Sequence, residues 1–299
     1  MVVDLTPLEK AHVLVEALPY IKEFYGKTVV IKYGGHAMSS PELKKAVMQD
    51  VVLMKFVGMN PVLVHGGGPE ISSMLERLGI STSFVKGLRV TDAETMKVVE
   101  MVLVGTVNKE IVSLINSCGG SALGISGKDG NLITAARKTV TQKDENGREA
   151  ECDLGFVGDV QSINPAIIHS VIEQGYIPVI APIGADEKGD SYNINADYVA
   201  SELAVALKAD KFVLLTDVEG IYADPVHKSE IISSLKVSQI QKLVDTGVIA
   251  GGMLPKIECC ARALKEGVER AHIIDGRLAH SILLEIFTRK GIGTMVVKG

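Results

Sequence analysis

Val64-His65-Gly66-Gly67-Gly68-Pro69-Glu70 directly follows the apolar run at residues 61–64 and leads into a helical pattern over residues 71–78. A strand, three glycines and a helix N-terminus leave backbone N–H groups free to surround an anion, and the helix dipole favours negative charge there. The strand at residues 29–31 likewise runs into Lys32-Tyr33-Gly34-Gly35. Two glycine turns after two strands predict a site that grips two anionic groups side by side, as phosphoryl transfer requires.

Short apolar strands alternate with longer helical patterns along almost the whole chain. This alternation predicts βαβ units, and therefore an α/β fold with a mostly parallel central sheet. The expected strands cover residues 29–31, 62–64, 122–125, 177–182, 212–216, 272–274 and 294–297. The expected helices cover residues 41–58, 69–78, 92–117, 164–174, 196–208, 238–246, 254–267 and 278–287. No change of composition marks a linker, which favours two lobes that share one continuous sheet.

The segment 138–158 interrupts this rhythm. Its alternation around Glu145-Asn146-Gly147-Arg148 predicts a β-hairpin with a type I′ turn. We expect the hairpin to extend over the edge of the sheet, either as a lid on a site or as surface decoration.

Charge, cysteine content and hydropathy bound the class of protein. The 299 residues carry a formal net charge of −5 and no basic run, which argues against nucleic acid as the main partner. The four cysteines form no C-x-x-C pair, which suits a reducing compartment. No apolar stretch reaches the roughly 18 residues of a membrane span, and the N-terminus lacks a signal-peptide pattern. We therefore expect a cytoplasmic protein with no membrane partner.

The first 26 residues precede the first core strand, so the sheet does not need them. Thr6-Pro7-Leu8-Glu9 predicts a capping box with proline at the first helical position. One face of the following helix is apolar, through Leu14, Leu18, Ile21 and Tyr25. Pro19 lies inside the helix and is expected to kink it. The helix either packs on its own domain or forms an arm that exchanges between subunits.

Two lysines and one aspartate are candidates for the chemistry of the site. Lys32 leads the first glycine turn, and Lys256 follows a Gly-Gly pair near the start of another helix. Asp197 begins the helix expected over residues 196–208, and a carboxylate between two lysines would fix their positions and keep both charged. The alternatives are solvated surface lysines and plain helix capping by Asn195 or Asp197.

Further polar residues are candidates for ligand binding. Asn193 and Asn195 alternate along an extended segment, so both side chains point the same way. Arg89 beside a glycine suits bidentate capture of a substrate carboxylate, with an ion pair elsewhere as the alternative. Residues 216–222 follow a buried strand, where an open α/β sheet places its nucleotide crevice. His65 is either a base or a histidine packed under the glycine loop.

Several rival motifs are missing from the sequence. There is no G-x-x-x-x-G-K-[ST] nucleotide loop, and no G-x-G-x-x-G follows the first strand. The His-Gly-Gly-Gly turn is not accompanied by a G-x-S-x-G nucleophile elbow. Because no metal-ligand cluster stands out either, we expect Mg²⁺ to be held mainly by the phosphates of a nucleotide.

Six ordered motifs together give the chain a specific resemblance to the amino acid kinase family over residues 28–297. They are Val30-Ile31-Lys32-Tyr33-Gly34-Gly35, Val64-His65-Gly66-Gly67-Gly68-Pro69, Lys86-Gly87-Leu88-Arg89-Val90-Thr91, Asn193-Ile194-Asn195-Ala196-Asp197, Leu215-Thr216-Asp217-Val218-Glu219-Gly220-Ile221-Tyr222 and Gly251-Gly252-Met253-Leu254-Pro255-Lys256. The resemblance implies a three-layer αβα sandwich with a mostly parallel central sheet and two lobes.

The resemblance implies transfer of the γ-phosphate of ATP, bound with Mg²⁺, to the side-chain carboxylate of N-acetyl-L-glutamate, the second step of arginine biosynthesis. Lys32 and Lys256 would stabilise the transition state, and Asp197 would organise them. The acetylglutamate would be bound by Gly67, Gly68, Arg89, Asn193 and Asn195. The nucleotide would be bound by Gly34, Gly35, Asp217, Val218, Glu219, Gly220, Ile221, Tyr222, Val248, Ile249 and Ala250. A carboxylate nucleophile with a pKa of about 4.3 is already ionised at neutral pH, so no general base is needed.

The resemblance also implies three segments and an inhibitor. Residues 1–26 would be a kinked helix that joins dimers into a homohexamer, a trimer of dimers. Residues 27–205 would form an N-terminal lobe for acetylglutamate binding and dimerisation, and residues 206–299 a nucleotide-binding C-terminal lobe. The inhibitor L-arginine would contact Tyr20, Lys211, His272, Glu285 and Gly291.

Two alternatives stay open at this point. The first is another kinase of the same fold, such as a glutamate 5-kinase, a carbamate kinase or a UMP kinase-like enzyme. Arg89 and the paired asparagines favour an acidic amino-acid derivative instead. The second is a non-catalytic arginine sensor, against which the intact Lys32, Lys256 and Asp197 speak.

Overall fold

The structure is a computed structural model that describes residues 5–38, 40–143, 149–227, 230–288 and 291–299. Its strands are β1 (Thr28–Tyr33), β2 (Asn60–His65), β3 (Phe84–Val85), β4 (Leu88–Arg89), β5 (Ala122–Ser126), β6 (Ile133–Lys143), β7 (Glu149–Ile163), β8 (Ile177–Ala181), β9 (Ile183–Ala185), β10 (Ser191–Asn193), β11 (Lys211–Thr216), β12 (Ser234–Lys236), β13 (Arg270–Asp275) and β14 (Thr294–Val297). Its α-helices are α1 (Pro7–Phe24), α2 (Pro41–Phe56), α3 (Gly68–Arg77), α4 (Ala93–Glu100), α5 (Asn108–Ser117), α6 (Ala166–Glu173), α7 (Ala196–Ala206), α8 (Val237–Asp245), α9 (Leu254–Lys265) and α10 (Ser281–Ile286).

The central sheet has eight strands in the order β12-β14-β13-β11-β1-β2-β8-β5. Only the β13–β14 pair is antiparallel among its pairings. The sheet is continuous on both sides of β1, which pairs with β11 on one edge and β2 on the other. The predicted α/β fold with a mostly parallel central sheet is therefore confirmed.

Two apolar clusters cover the two faces of this sheet. Val29, Ile31 and Tyr33 of β1 join one cluster, with residues of α2, α5 and α10. Val30 joins the other cluster, with residues of α6, α7 and α9. Because side chains alternate between the faces of a strand, the two clusters place helices on both sides of the sheet, giving three layers.

The predicted hairpin is longer than expected and belongs to a small second sheet. β6 and β7 pair antiparallel, and with β9 and β10 they close into a four-stranded barrel. The predicted type I′ turn at residues 145–148 lies outside the described residues. β9 and β10 were not predicted, because strands of three residues are too short to show a period-2 pattern.

The helix predicted over residues 92–117 is interrupted. Met101–Val107 between α4 and α5 is a π-helix, and the backbone N–H of Asn108 donates to the carbonyl oxygen of Leu103. π-Helical turns are often found at functional sites. No sequence periodicity distinguishes such a turn from ordinary α-helix.

Helix α1 has the predicted capping box. The Thr6 hydroxyl accepts from the Glu9 amide at 3.3 Å, and the Glu9 carboxylate accepts from the Thr6 amide at 2.8 Å. The helix contacts the rest of its chain at its C-terminal end, where Phe24 is buried. The side chain of Leu14 is 71% exposed, and Leu8, Val15 and Leu18 are exposed as well. In the described residues, no helix is both long and apolar enough for a membrane crossing.

Asp50 on α2 is a buried carboxylate that contacts the start of α10. Its Oδ1 lies 2.6 Å from Nδ1 of His280. His280 has a φ of 60°, a left-handed conformation that cannot continue a helix, so α10 begins at Ser281 and not at residue 278 as predicted. Burial raises the pKa of Asp50 to about 6, although the contact with His280 opposes that change.

The pH dependence of stability tests this burial in the variant Asp50→Asn. The folded chain holds the Asp50 proton more tightly than the unfolded chain, so this group stabilises the fold fully below about pH 4 and ceases to do so as the pH rises through about 6. We expect Asp50→Asn to gain about 1–3 kcal/mol of unfolding free energy relative to the parent between about pH 4 and about pH 7 in urea titrations. A constant difference between the two proteins across this range would contradict the prediction.

Candidate active site

The two glycine turns lie side by side at the carboxyl edge of the sheet. Tyr33 at the end of β1 is the register partner of His65 at the end of β2, and the Gly66 amide donates to the Tyr33 carbonyl oxygen at 2.8 Å. Gly68 then begins α3, with Pro69 in its first turn. Open α/β sheets bind ligands at this edge, where the connections from a central strand go in opposite directions.

Lys32, Asp197 and Lys256 meet at this edge. Lys32 Nζ lies 3.0 Å from Asp197 Oδ1, and Lys256 Nζ lies 2.6 Å from Asp197 Oδ2. The three side chains are 12%, 7% and 19% exposed, in the order Lys32, Asp197, Lys256. Burial opposes ionisation of Asp197, but the two lysine charges outweigh it, so the pKa of this carboxyl lies below its ordinary value. The site therefore holds two ammonium groups around one carboxylate.

Local structure explains why these groups converge. Asn195 caps α7, its side chain accepting from the Asp197 amide at 2.8 Å, so the carboxylate projects from the first turn. A 3₁₀ turn, Gly251–Met253, leads into α9, which carries Lys256 in its first turn. Gly34 leaves room for the lysine of β1, because a Cβ at position 34 would lie 3.1 Å from Lys32 Nζ. Capping of α7 by Asn195 and the contact of Asp197 with the two lysines therefore occur together.

A cavity of about 560 Å³ opens beside the three charges. All five predicted acetylglutamate residues, Gly67, Gly68, Arg89, Asn193 and Asn195, line it together with Lys32, Asp197 and Lys256. The strand β7 contributes Val157 to the same wall, so the base of the hairpin takes part in the cavity. Asn193 pairs with Val157 in the barrel, which fixes the asparagine at this wall.

Arg89 is a buried cation held by neutral groups. Its guanidinium donates to Thr82 Oγ1 at 2.7 Å, to Ser72 Oγ at 2.8 Å and to the Gly68 carbonyl oxygen at 3.0 Å. The group also lies 4.7 Å from the centre of the Phe84 ring. Burial lowers the pKa of Arg89. Among the described residues, no carboxylate forms an ion pair with it, so an anion in the cavity would meet an uncompensated charge.

Leu103 and Glu70 are among the residues of the cavity wall that were not predicted. Leu103 of the π-helix packs on the second glycine turn, where a Cβ at Gly67 would lie 2.5 Å from Leu103 Cδ2. Glu70 in the first turn of α3 also lines the cavity. An apolar residue inside a predicted helix and an acidic residue in a first helical turn both have ordinary structural explanations, so the sequence contained no signal for either.

The predicted nucleotide residues lie at the same edge of the sheet, where Gly35 lines the cavity and the others lie outside its lining. Residues 217–222 follow β11, the neighbour of β1, and the Ile221 amide donates to Thr294 Oγ1 at 2.8 Å. Residues 248–250 directly precede the 3₁₀ turn that leads to Lys256. Ile221 and Ile249 are buried in the same apolar cluster, while Gly34 and Gly35 follow β1. The structure thus arranges these residues around one end of β11 and α9.

A second cavity of about 210 Å³ contains all five residues predicted to contact arginine: Tyr20, Lys211, His272, Glu285 and Gly291. Glu285 Oε1 lies 2.7 Å from His272 Nδ1, and Lys211 Nζ lies 3.3 Å from His272 Nε2. Glu285 Oε2 accepts from the amides of Ile292 and Gly293 at 2.7 and 3.2 Å. Burial lowers the pKa of Lys211 to about 8. The cavity lies between α1 and strands of the C-terminal part of the chain.

Known proteins resemble this one in fold and in sequence. Residues 27–275 match the amino acid kinase family. The chain is 65% identical over 295 residues to an acetylglutamate kinase of Moorella thermoacetica, covering 99% of each chain. N-Acetylglutamate synthase from Neisseria gonorrhoeae, complexed with coenzyme A and N-acetyl-glutamate, has a TM-score of 0.82 at 26% identity. That match covers 97% of this chain and 63% of the synthase chain. The same synthase complexed with coenzyme A and L-arginine has a TM-score of 0.78 at 26% identity, covering 97% of this chain and 65% of the synthase chain.

This protein therefore belongs to the amino acid kinase family and is a kinase. Within the family, its full-length relatives at 57–65% identity are acetylglutamate kinases.

The charge arrangement can be tested by stability alone, with Asp197→Asn. Removing the carboxylate leaves two largely buried ammonium groups without their counter-ion, so we expect a loss of about 2–4 kcal/mol of unfolding free energy near neutral pH. Asp153→Asn is the matched control, because the Arg137–Asp153 pair has side chains 53% and 69% exposed. That control should cost less than about 1 kcal/mol in the same urea titration. Equal losses in the two variants would show that Asp197 does not hold the two lysines.

Proposed function

We propose that this kinase transfers the γ-phosphate of ATP to the side-chain carboxylate of N-acetyl-L-glutamate, giving N-acetyl-L-glutamyl 5-phosphate and ADP. The observation that carries the proposal is the contact of Lys32 and Lys256 with one buried carboxylate, beside two glycine turns. The full-length similarity to acetylglutamate kinases supports the choice of substrate. It also supports a place in arginine biosynthesis.

The reaction joins two anions, and the charged groups of the site suit that task. A carboxylate oxygen of the acceptor attacks the γ-phosphorus, the bond to the bridging oxygen of ADP breaks, and ADP leaves with the electron pair. Negative charge is spread over the transferring oxygens, so Lys32 and Lys256 stabilise the transition state while Asp197 holds them in place. The open amides of the glycine turns add donors that need no reorganisation.

No proton has to be removed from the acceptor. A glutamate side chain has a pKa of about 4.3 and is ionised at neutral pH. Burial lowers the pKa of His65 to about 4, although the hydrogen bond to the Gly66 carbonyl oxygen acts in the opposite direction. This histidine is therefore neutral under the same conditions. The catalytic task is therefore positioning and charge stabilisation, and His65 is not assigned as a base.

The cavity fits an acylated acidic amino acid. Arg89 supplies a positive charge for the carboxylate that does not react, because it has no acidic partner among the described residues. Asn193 and Asn195 supply amide groups for the acetamido group, and Gly67 and Gly68 supply backbone amides near the reacting carboxylate. The volume of about 560 Å³ is in the range of small-molecule sites in proteins.

The nucleotide is assigned to residues around β11 and α9. Gly34, Gly35 and the stretches 217–222 and 248–250 surround the sheet edge next to Lys32 and Lys256. The two lysines and the glycine amides match the charge of a triphosphate. Mg²⁺ arrives with ATP and is held mainly by its phosphates. In this assignment residues 27–205 bind the acceptor, form dimers and contribute Gly34 and Gly35 to the nucleotide site, and residues 206–299 supply the rest of that site.

A substrate panel tests the function. With ATP and hydroxylamine to trap acyl phosphates, we expect ADP release and trapped product with N-acetyl-L-glutamate, and much less with glutamate, aspartate, carbamate or UMP. Lys32→Ala should lower kcat at least about 100-fold while nucleotide still binds, because it removes a transition-state charge. Turnover with a different member of the panel would replace the assigned substrate. An unchanged rate in Lys32→Ala would remove the assigned mechanism.

We also propose that arginine inhibits the enzyme through the second cavity, and that α1 joins dimers into a hexamer in the cytoplasm. Glu285 supplies a carboxylate for a guanidinium, and Lys211 supplies a cation for an α-carboxylate, in one enclosure. Tyr20 of α1 lines the same cavity, so the arm and the ligand share a contact. The exposed apolar residues of α1 need a cover, which a neighbouring subunit would provide. The similar synthase complexed with L-arginine supports this ligand.

Two variants separate the assembly from the cavity. Deletion of residues 1–26 should convert hexamers into dimers and weaken arginine inhibition, as measured by light scattering and ADP release. Leu14→Asp is the sharper variant, because this leucine is 71% exposed and lies outside the cavity, so Tyr20 keeps its place. Because the hexamer would have to bury the aspartate charge in the contact between subunits, this variant should dissociate it. Unchanged mass and unchanged inhibition after the deletion would refute the assignment of the arm.

A further inference from the structure

His65 lies under the second glycine turn and is fully buried. Its Nδ1 lies 2.8 Å from the carbonyl oxygen of Gly66, and its Nε2 lies 3.2 Å from Nδ2 of Asn108. A neutral imidazole has one N–H donor and one acceptor nitrogen, so the partner of one nitrogen decides the role of the other.

The orientation of Asn108 settles which nitrogen carries the proton. Its Nδ2 donates to the carbonyl oxygen of Val179 at 2.9 Å, and its Oδ1 accepts from Lys109 Nζ at 3.1 Å. The Asn108 side chain occupies space that is free because residue 124 is a glycine, since a Cβ there would collide with Asn108 Oδ1. The amide nitrogen of Asn108 therefore faces His65 Nε2, which must accept. The proton lies on Nδ1, which donates to the Gly66 carbonyl oxygen.

That hydrogen bond fixes the peptide between Gly66 and Gly67. In a trans peptide the C=O and N–H groups point in opposite directions, and the described residues contain no cis peptide bond. With its carbonyl held toward the buried ring, this peptide directs the Gly67 N–H away from His65. Gly67 lines the large cavity, and among the described residues no backbone acceptor takes its N–H.

The π-helix brings both supports to this turn. Asn108 donates its backbone N–H to the carbonyl oxygen of Leu103, so the two residues stack one π-turn apart. Leu103 packs on Gly67 from the cavity side, and Asn108 reaches the ring of His65 from beneath. An ordinary α-helix would place residues five apart on different sides.

We propose that His65 is a positioning residue for phosphoryl transfer: its ring, oriented by Asn108, holds the Gly66–Gly67 peptide so that the Gly67 N–H faces the transferring phosphoryl group. This inference rests on the proposed function. His65 touches neither substrate, and it acts through the backbone of the glycine turn. Its contribution is realised when charge develops on the phosphoryl oxygens, and therefore in kcat more than in KM.

Two amide substitutions of His65 form a matched pair. The side-chain nitrogen of Asn takes the place of Nδ1 and can still donate to the Gly66 carbonyl oxygen, whereas the amide of Gln reaches the place of Nε2 and leaves that oxygen without its donor. Both replace the ring by a carboxamide. We expect His65→Asn to keep kcat within about tenfold of the parent and His65→Gln to lower kcat about 100-fold, with both KM values changed less than about threefold.

A binding measurement supplies a readout that does not depend on turnover. ADP with aluminium fluoride mimics the transferring phosphoryl group, so it should raise the Tm of the parent and of His65→Asn, in the presence of N-acetyl-L-glutamate, above the value with ADP alone. In His65→Gln the increase from ADP should remain and the extra increase from aluminium fluoride should be lost. A variant that is merely unfolded would lose both.

The outcomes separate this inference from the function on which it rests. The positioning role is overturned, and the kinase assignment left intact, by an active parent whose Asn and Gln variants lose kcat equally. A loss of kcat/KM that comes from a higher KM at unchanged kcat has the same consequence. A parent that turns over another acceptor overturns only the substrate, since the same pair is then compared with that acceptor. A parent that transfers phosphate to no acceptor overturns the proposed function and this role together.

Discussion

Two ammonium groups stay close together in a half-closed cleft only if a carboxylate lies between them. Asp197 meets this requirement, with Lys32 and Lys256 at 3.0 and 2.6 Å from its two oxygens. Each of the three comes from a different element, so their contact joins the end of β1 to the starts of α7 and α9. Like charges on two sides of one carboxylate repel each other where water is scarce, and one misplaced element would leave a charge uncompensated. The cavity that Arg89 and the second glycine turn line opens beside this junction.

The sequence was informative where a strand end fixed what lay beside it. Parallel strands bring their carboxyl ends to one edge, so a lysine near the end of β1 and glycines after β2 had to be neighbours. Arg89 could be assigned to the region, but its three neutral partners could not, because Ser72 and Thr82 have no pattern that marks them. The strands β9 and β10 were not predicted because each has only three residues. The contact of Asp50 with His280 joins residues 230 positions apart, and no local signal reports such a pair.

The π-helix shows a different limit of sequence reasoning. Apolar spacing over residues 92–117 indicated one helix, and the chain is indeed helical throughout this stretch. The extra residue in the π-turn brings Leu103 and Asn108 to the same region of the helix surface. Both then contact the second glycine turn, Leu103 at Gly67 and Asn108 at His65. Helical periodicity is an average over many residues, so it does not detect a π-turn that depends on only a few of them. In this turn Asn108 contacts His65 and Val179 and occupies the space left by Gly124.

Strand β11 begins at Lys211 in the small cavity and ends at Thr216, directly before residues 217–222. Five residue steps at about 3.3 Å each give a distance of about 16 Å between the two ends. An extended strand in a sheet is hard to shorten or lengthen, since its backbone is bonded to β1 and β13 on both sides. Under the inhibition proposed above, a molecule bound at the amino end would act on the far end through the tilt or twist of the strand against β1. The coupling between the two cavities would then be a matter of sheet geometry, expressed in the angle between two adjacent strands.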